Sequence, residues 1–253
     1  MADEVWRIDY QLAPDADLAD AGSAAQVRAR LARQFGPDTE VEIVWVGPYA
    51  YRSECIDQMR HGRVFFMGDS AKVVSPFGAR GGNTGIADAD NLAWKLAAVL
   101  QGRAAPALLD TYHQERHEAA RQNVLVTNRT ARFLRPADGV ERLFRTAAIS
   151  LARQHVFARQ FVNTGRMAVA NSYTQSSACD STGGLSVQNV GFRWADGSPG
   201  LVNELLQWAD GRLLVLVFGS FSAASLQRLR ALCAHAPVRA VQVLGADGPA
   251  GAL

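Results

Sequence analysis

Between Gly62 and Leu96 the chain reads GRVFFMGDSAKVVSPFGARGGNTGIADADNLAWKL, and no other stretch restricts the fold so narrowly. Arg63 to Met67 predicts a short apolar strand that runs straight into Gly68-Asp69. A loop with Pro76, Gly78, Gly81, Gly82 and Gly85 follows, and it feeds a helix over residues 86–100. Ile86, Ala89, Ala93, Leu96, Ala97 and Leu100 form one apolar stripe on that helix. This order places Asp69 at the C-terminal end of a buried strand, where open α/β sheets bind ligands. The glycines allow backbone to approach a flat or phosphorylated ligand without Cβ clashes. The helix N-terminus adds unpaired N–H groups and a partial positive charge. A carboxylate for hydroxyls and an N–H cluster for an anion suit a ligand with a polyol at one end and delocalised negative charge at the other.

The rest of the chain reads more simply. β-formers at Val5–Leu12, Val41–Val46 and Tyr49–Arg52 predict strands, and Val27, Leu31 and Phe35 predict a helix over 24–35, stopped by Gly36-Pro37. Pro106 suits the first turn of a further helix, and helical spacing continues with breaks to about Arg166. Residues 171–184, rich in Ser, Thr, Asn and Gly, read as a linker. Beyond them, an apolar run at 213–218, a helix at 222–234 and a strand at 238–244 predict a parallel β-α-β unit.

Composition excludes several classes. With 253 residues, 48% hydrophobic and 20% charged, the chain has the profile of a globular protein rather than a disordered one. Its 26 basic and 24 acidic side chains leave a net charge of only +2, so a global polyanion-binding signature is absent. From Arg116 to Arg166 ten arginines face Glu118, Asp138 and Glu141, without interleaved aromatics for base stacking, so nucleic acid is not the expected partner. Cys55, Cys179 and Cys233 are far apart and form no zinc ribbon or redox dithiol; Cys55 and Cys233 read as packing residues. His113 and His117 share a helix face but lack the acidic partner of a metalloprotease helix, so no metal is expected. Neither a signal peptide nor a bilayer-spanning run of roughly 20 apolar residues is evident. The default expectation is a cytoplasmic protein with no membrane partner.

The segment resembles the Gly-Asp motif of the class A FAD-dependent aromatic hydroxylases, the p-hydroxybenzoate hydroxylase-like superfamily, and most of all its 3-(3-hydroxyphenyl)propionate hydroxylase-like members. Gly68 and Asp69 match the Gly-Asp pair. Pro76, Gly78, Gly81 and Asn83, with Gly82 inside, match the Pro-x-Gly-x-x-Gly-x-Asn loop. Asp88, Ala89, Asn91, Leu92, Trp94, Lys95 and Leu96 match the helix that follows, and Leu108, Leu109, Tyr112, Glu115 and Arg116 a later helical run. The resemblance implies FAD as cofactor, NAD(P)H as co-substrate and a small aromatic substrate. It implies that Asp69 binds a ribityl hydroxyl and that backbone N–H groups of the loop face the flavin pyrimidine ring. Glu115 and Arg116 read as structural ion-pairing residues, and Trp45 and Trp94 as core fillers. Tyr49, Tyr51 and Arg52 are candidates for lining the substrate pocket, and no general base stands out.

The implied fold class is α/β, assembled from α+β pieces. A partial substrate-binding sheet domain occupies 1–60, and the C-terminal part of the FAD-binding domain with its helices occupies 61–170. The linker at 171–184 leads to a partial thioredoxin-like β-α-β domain at 185–253. Two departures from the family stand out. Lys72 takes the place of the usual His, and the N-terminal Gly-x-Gly-x-x-Gly and mid-chain Asp-Gly motifs are not in the sequence. The chain therefore reads as an interior-to-C-terminal portion, and the isolated chain is expected to lack hydroxylase activity. A second reading stays open: a non-catalytic remnant or interaction module that does not retain flavin. The sequence also leaves a homo-oligomer open.

Overall fold

In the computed structural model, residues 4–13, 15–76, 78–162 and 169–245 are described. The chain divides into two compact units, 1–51 and 52–253.

The first unit holds two helices. Asp17 caps α1 (Leu18–Ala21) by accepting the N–H groups of Ala19 and Asp20. Ser23 caps α2 (Ala24–Phe35) through the Gln26 N–H, and Gly36 ends it at φ 112°. The Arg30 guanidinium lies 4.3 Å from the Tyr10 ring centroid, which ties the first segment to α2. The expected strands at 5–12, 41–46 and 49–52 do not form among the described residues. β-forming side chains make a strand only when the backbone finds a ladder partner. Here Val44, Trp45 and Tyr49 are all more than two-thirds exposed.

Among the described residues, the second unit is built on helices and four separate two-stranded sheets. β1 (Glu54–Cys55) pairs antiparallel with β4 (Lys72–Val73), and β2 (Arg60–His61) forms a hairpin with β3 (Val64–Phe65). A 3-10 turn at Gly68–Ser70 separates β3 from β4. Then come α3 (Arg80–Leu100), a 3-10 turn at Pro106–Leu109, α4 (Asp110–Leu134), α5 (Val140–Gln154) and α6 (Val156–Val162). The end of the helical run expected near Arg166 lies outside the described residues. The core packs Met59, Ala71, Leu92, Leu109, Tyr112 and Ala120 among these two small sheets, α3 and α4.

Toward the C-terminus, β5 (Gly191–Arg193) and β6 (Pro199–Leu201) pair antiparallel ahead of α7 (Val202–Ala209). β7 (Leu213–Phe218) and β8 (Val238–Val243) pair in parallel across α8 (Ala223–His235), as the apolar run and helix signal predict. The segment expected to be a linker is tied down along part of its length. Asn171, Thr174, Ser176 and Ser177 bond to Asn123, Glu118, Glu115 and Gln114 of α4.

Four further expectations need correction. The strand into Gly68 is only two residues long and half exposed, so it does not present Asp69 from within an open sheet. α3 begins six residues earlier than expected, so Gly81, Gly82 and Asn83 lie in its first turn rather than in a loop. Its buried side is not the apolar stripe: Ile86 and Leu100 are largely exposed, whereas Thr84, Asp88, Asn91, Leu92 and Lys95 are buried. Buried charge is tolerated because α4 supplies counter-charges, as the next subsection details. Trp45 and Trp94, expected in a core, are both exposed.

Candidate functional site

The site is organised by one buried carboxylate. Asp88, on the third turn of α3, has no exposed surface. Its Oδ2 accepts the Gly68 backbone N–H at 2.9 Å and also pairs with the Lys72 ammonium. Its Oδ1 accepts from Arg116 Nε of α4 at 2.7 Å. Arg116 spends its remaining donors on the Tyr173 hydroxyl at 2.7 Å and on the Thr84 hydroxyl at 2.9 Å. Lys72 thus fills the place of the family's His with a buried ion pair. A second buried group lies one turn along: Glu115 accepts from Lys95 and Asn91, both at 2.6 Å, and from Ser176 at 2.8 Å. Burial pushes the Lys95 ammonium down from its ordinary value, and Glu115 only partly offsets this.

Above this layer sits the turn of Gly68-Asp69. Gly68 has φ 57°, which suits glycine. The Ser70 hydroxyl donates to the Met67 carbonyl at 2.7 Å and accepts the Met67 N–H at 3.2 Å, closing the turn. The turn packs on α3: a Cβ added at Gly85 would lie 3.5 Å from the Gly68 Cα. The Asp69 carboxylate is exposed, and among the described residues nothing hydrogen-bonds or ion-pairs with it.

Pro76 and Gly78 lead into the helix. Gly78 has φ 78° and Ala79, the N-cap, has φ 52°. The Ala79 N–H donates to the Pro76 carbonyl at 3.1 Å, and the Asn83 amide donates back to the Ala79 carbonyl at 2.7 Å. Among the described residues no side chain caps the N–H groups of the first turn. The Gly81 and Gly82 N–H groups precede any i→i−4 partner. A Cβ added at Gly82 would meet nothing within 4 Å, so the space over this turn is open. An exposed carboxylate and an open, uncapped helix start are what a polyol joined to an anionic ring needs, so the residues present fit FAD.

The structure brings Gly68, Asp69, Gly81, Gly82 and Asn83 onto one turn-and-helix unit, with Pro76 and Gly78 on the approach to it. Tyr49 and Tyr51 are exposed and their rings pack tilted at 57°, with centroids 5.0 Å apart. His113 and His117 also pack ring to ring at 5.0 Å, and His113 Nδ1 accepts the Met59 N–H at 3.2 Å. They border an open groove on α4 together with Cys55, Arg121 and Leu125. Among the described residues no group of three or more His, Cys, Asp or Glu side chains could hold a metal ion, and no helix is long and apolar enough to cross a membrane. Asp88, Asn91 and Lys95 were matched only as parts of a motif, and Thr84 was not singled out at all. The signal for their burial was the 84-88-91-95 spacing, which lines one helix face, beside Glu115-Arg116 on the next helix.

Residues 3–127 match the family described as FAD binding domain. Over this span, just under half of its length, the chain is similar to the class A flavin monooxygenases. It is 57% identical over 81 residues to the tetracenomycin B2 monooxygenase-dioxygenase of Streptomyces olivaceus, a match covering 32% of this chain and 15% of that protein. It is 30% identical over 177 residues to a 3-(3-hydroxy-phenyl)propionate/3-hydroxycinnamic acid hydroxylase of Mycolicibacterium gilvum, covering 70% of this chain and 31% of that one. Among solved structures, the OxyS anhydrotetracycline hydroxylase of Streptomyces rimosus superposes with a TM-score of 0.64 at 26% identity, covering 87% of this chain and 43% of its own. The chain therefore spans less than half the length of these relatives.

Proposed function

We propose that this chain is the FAD-binding portion of a flavin-dependent monooxygenase that hydroxylates a small phenolic or other aromatic substrate with NAD(P)H and O2. The observation that carries this reading is the exposed Asp69 carboxylate, which no described residue engages, on a turn packed against the start of α3. Asp69 accepts hydrogen bonds from ribityl hydroxyls. The Gly81 and Gly82 N–H groups face the pyrimidine ring, and Gly68, Pro76, Gly78 and Asn83 shape the turns that present them. When bound, FAD supplies the redox chemistry with O2. The chain's own residues bind and orient it, and the α3 N-terminus favours negative charge beside it. We further propose the division into 1–60, 61–170, a linker at 171–184 and a thioredoxin-like piece at 185–253.

The test is reconstitution. The purified chain is mixed with FAD, desalted, and checked for the visible flavin band and for quenching of flavin fluorescence on titration. Saturable, stoichiometric retention supports the reading. No saturable binding up to millimolar FAD overturns it in favour of a module that does not retain flavin.

A further inference from the structure

We infer that Asp88 is a positioning residue for the cofactor: it holds the Gly68 amide from below and so fixes the direction in which the neighbouring Asp69 carboxylate points. The inference rests on the reading above, in which Asp69 meets the ribityl chain.

Gly68 begins a three-residue turn at a left-handed φ, separated by two residues from the end of a two-residue strand. So short a ladder cannot fix a turn that follows it. The Gly68 N–H donates instead to a side chain 20 residues ahead, at 2.9 Å. That acceptor is over-determined. Arg116 holds one oxygen, Lys72 shares the other with Gly68, and both cations are buried. Arg116 is held in turn by Thr84 and by Tyr173, so the strap at 171–177 and both long helices bear on one carboxylate. A group this constrained transmits position well, because none of its partners can move without breaking a buried charged contact. Asp88 touches no ligand position itself; it acts through Gly68.

The experiment measures residue-resolved amide exchange by NMR on the whole chain, together with FAD affinity from fluorescence quenching. In the unsubstituted protein the Gly68 amide is expected to exchange at least about tenfold more slowly than the Asp69 amide, as a charge-assisted bond implies. Asp88→Asn is expected to speed Gly68 exchange and weaken FAD binding, each by about tenfold or more. Glu115→Gln cuts the neighbouring buried ion pair between the same helices. It is expected to leave Gly68 exchange within about twofold, because Glu115 has no contact with the turn. A merely structural Asp88 would make the two variants alike, and that result overturns the inference. So does an unprotected Gly68 amide in the unsubstituted chain. Should Asp88→Asn not fold, Arg116→Lys replaces it. This variant loosens the other carboxylate oxygen and is expected to speed Gly68 exchange several-fold; an unchanged rate counts against the role. Asp69→Ala separates the two claims. If it weakens FAD binding while Asp88→Asn does not, positioning fails and the ribityl contact stands. If Asp69→Ala leaves affinity unchanged, the ribityl reading fails, and with it any positioning of the cofactor through Asp69.

Discussion

Lys95 Nζ lies 2.6 Å from Glu115 Oε2, with both side chains almost entirely shielded from water. The pair joins the middle of α3 to the first turns of α4, beside the Asp88–Arg116 pair one turn away. Burial alone disfavours both ions, so the contact holds only because each has its partner and further hydrogen bonds. Removing one partner leaves the other charged and buried. Glu115→Ala is expected to destabilise the fold by about 3–5 kcal/mol, while replacing both by Met costs much less. Urea unfolding of the single and double variants checks this; a double variant as weak as Glu115→Ala would refute it.

Tyr112 offers a gentler test of the same core. Its ring is fully buried, and its hydroxyl donates to the Phe66 carbonyl at 2.7 Å, just before the Gly-Asp turn. Burial pushes the phenol up, so it stays a donor at any ordinary pH. Tyr112→Phe keeps the ring and loses the bond. The expected cost is about 1–3 kcal/mol, because the carbonyl is left without this donor. A shift in urea midpoint at unchanged slope is the readout.

His113 sets a pH dependence. Burial, then the nearby His117 and His61, lowers its pKa from the ordinary value. The unfolded chain takes up a proton near pH 6.5, where the folded chain still holds a neutral ring. Stability is therefore full above about pH 6.5 and falls as the pH drops through the folded value. Protonation would also remove the Nδ1 lone pair that accepts the Met59 N–H. His113→Asn is expected to lose less stability than the parent between pH 7.5 and 5, as measured by urea midpoints; equal losses would remove His113 as the cause.

These residues also show why some features were legible in sequence and others were not. The parallel β7-α8-β8 unit was readable because an uninterrupted apolar run, a Ser222 cap and a second run lie close together along the chain. The Gly-Asp turn was readable for the same reason, since its residues are consecutive. The buried face of α3 was not: Thr84, Asp88 and Lys95 look like a solvated face until Glu115 and Arg116 arrive from the next helix, 20 to 32 residues away. Glycines at 81, 82 and 85 disguised the helix start as loop, because propensity argues against helix where tertiary packing imposes it. Residues 41–51 have the composition of strands, but a strand is a property of a pair.

Gly82 separates stability from binding. It lies in the first turn of α3 with open space where a Cβ would go. Gly82→Ala is therefore expected to stabilise the fold by about 0.5–1 kcal/mol through helix propensity and a less flexible unfolded chain. The added methyl would stand in the space over the uncapped N–H groups, and FAD retention should fall. Opposite signs in thermal unfolding and in flavin titration are the expected pair of results; tighter FAD binding would show that the ligand lies elsewhere.

Asp69 carries the most direct test of the site. Its carboxylate is exposed, and among the described residues no donor engages it, so removing it breaks no internal contact. Asp69→Ala should leave the unfolding midpoint close to that of the parent. A hydrogen bond to a charged acceptor is worth about 1.5–3 kcal/mol, so loss of the ribityl contact should weaken FAD binding about 10- to 150-fold. Asp69→Asn keeps an acceptor oxygen without the charge and should fall between the two. Flavin titration of the three proteins checks the order. If affinity is unchanged while the fold is intact, Asp69 does not hold the cofactor, and the open start of α3 would have to bind it without a carboxylate.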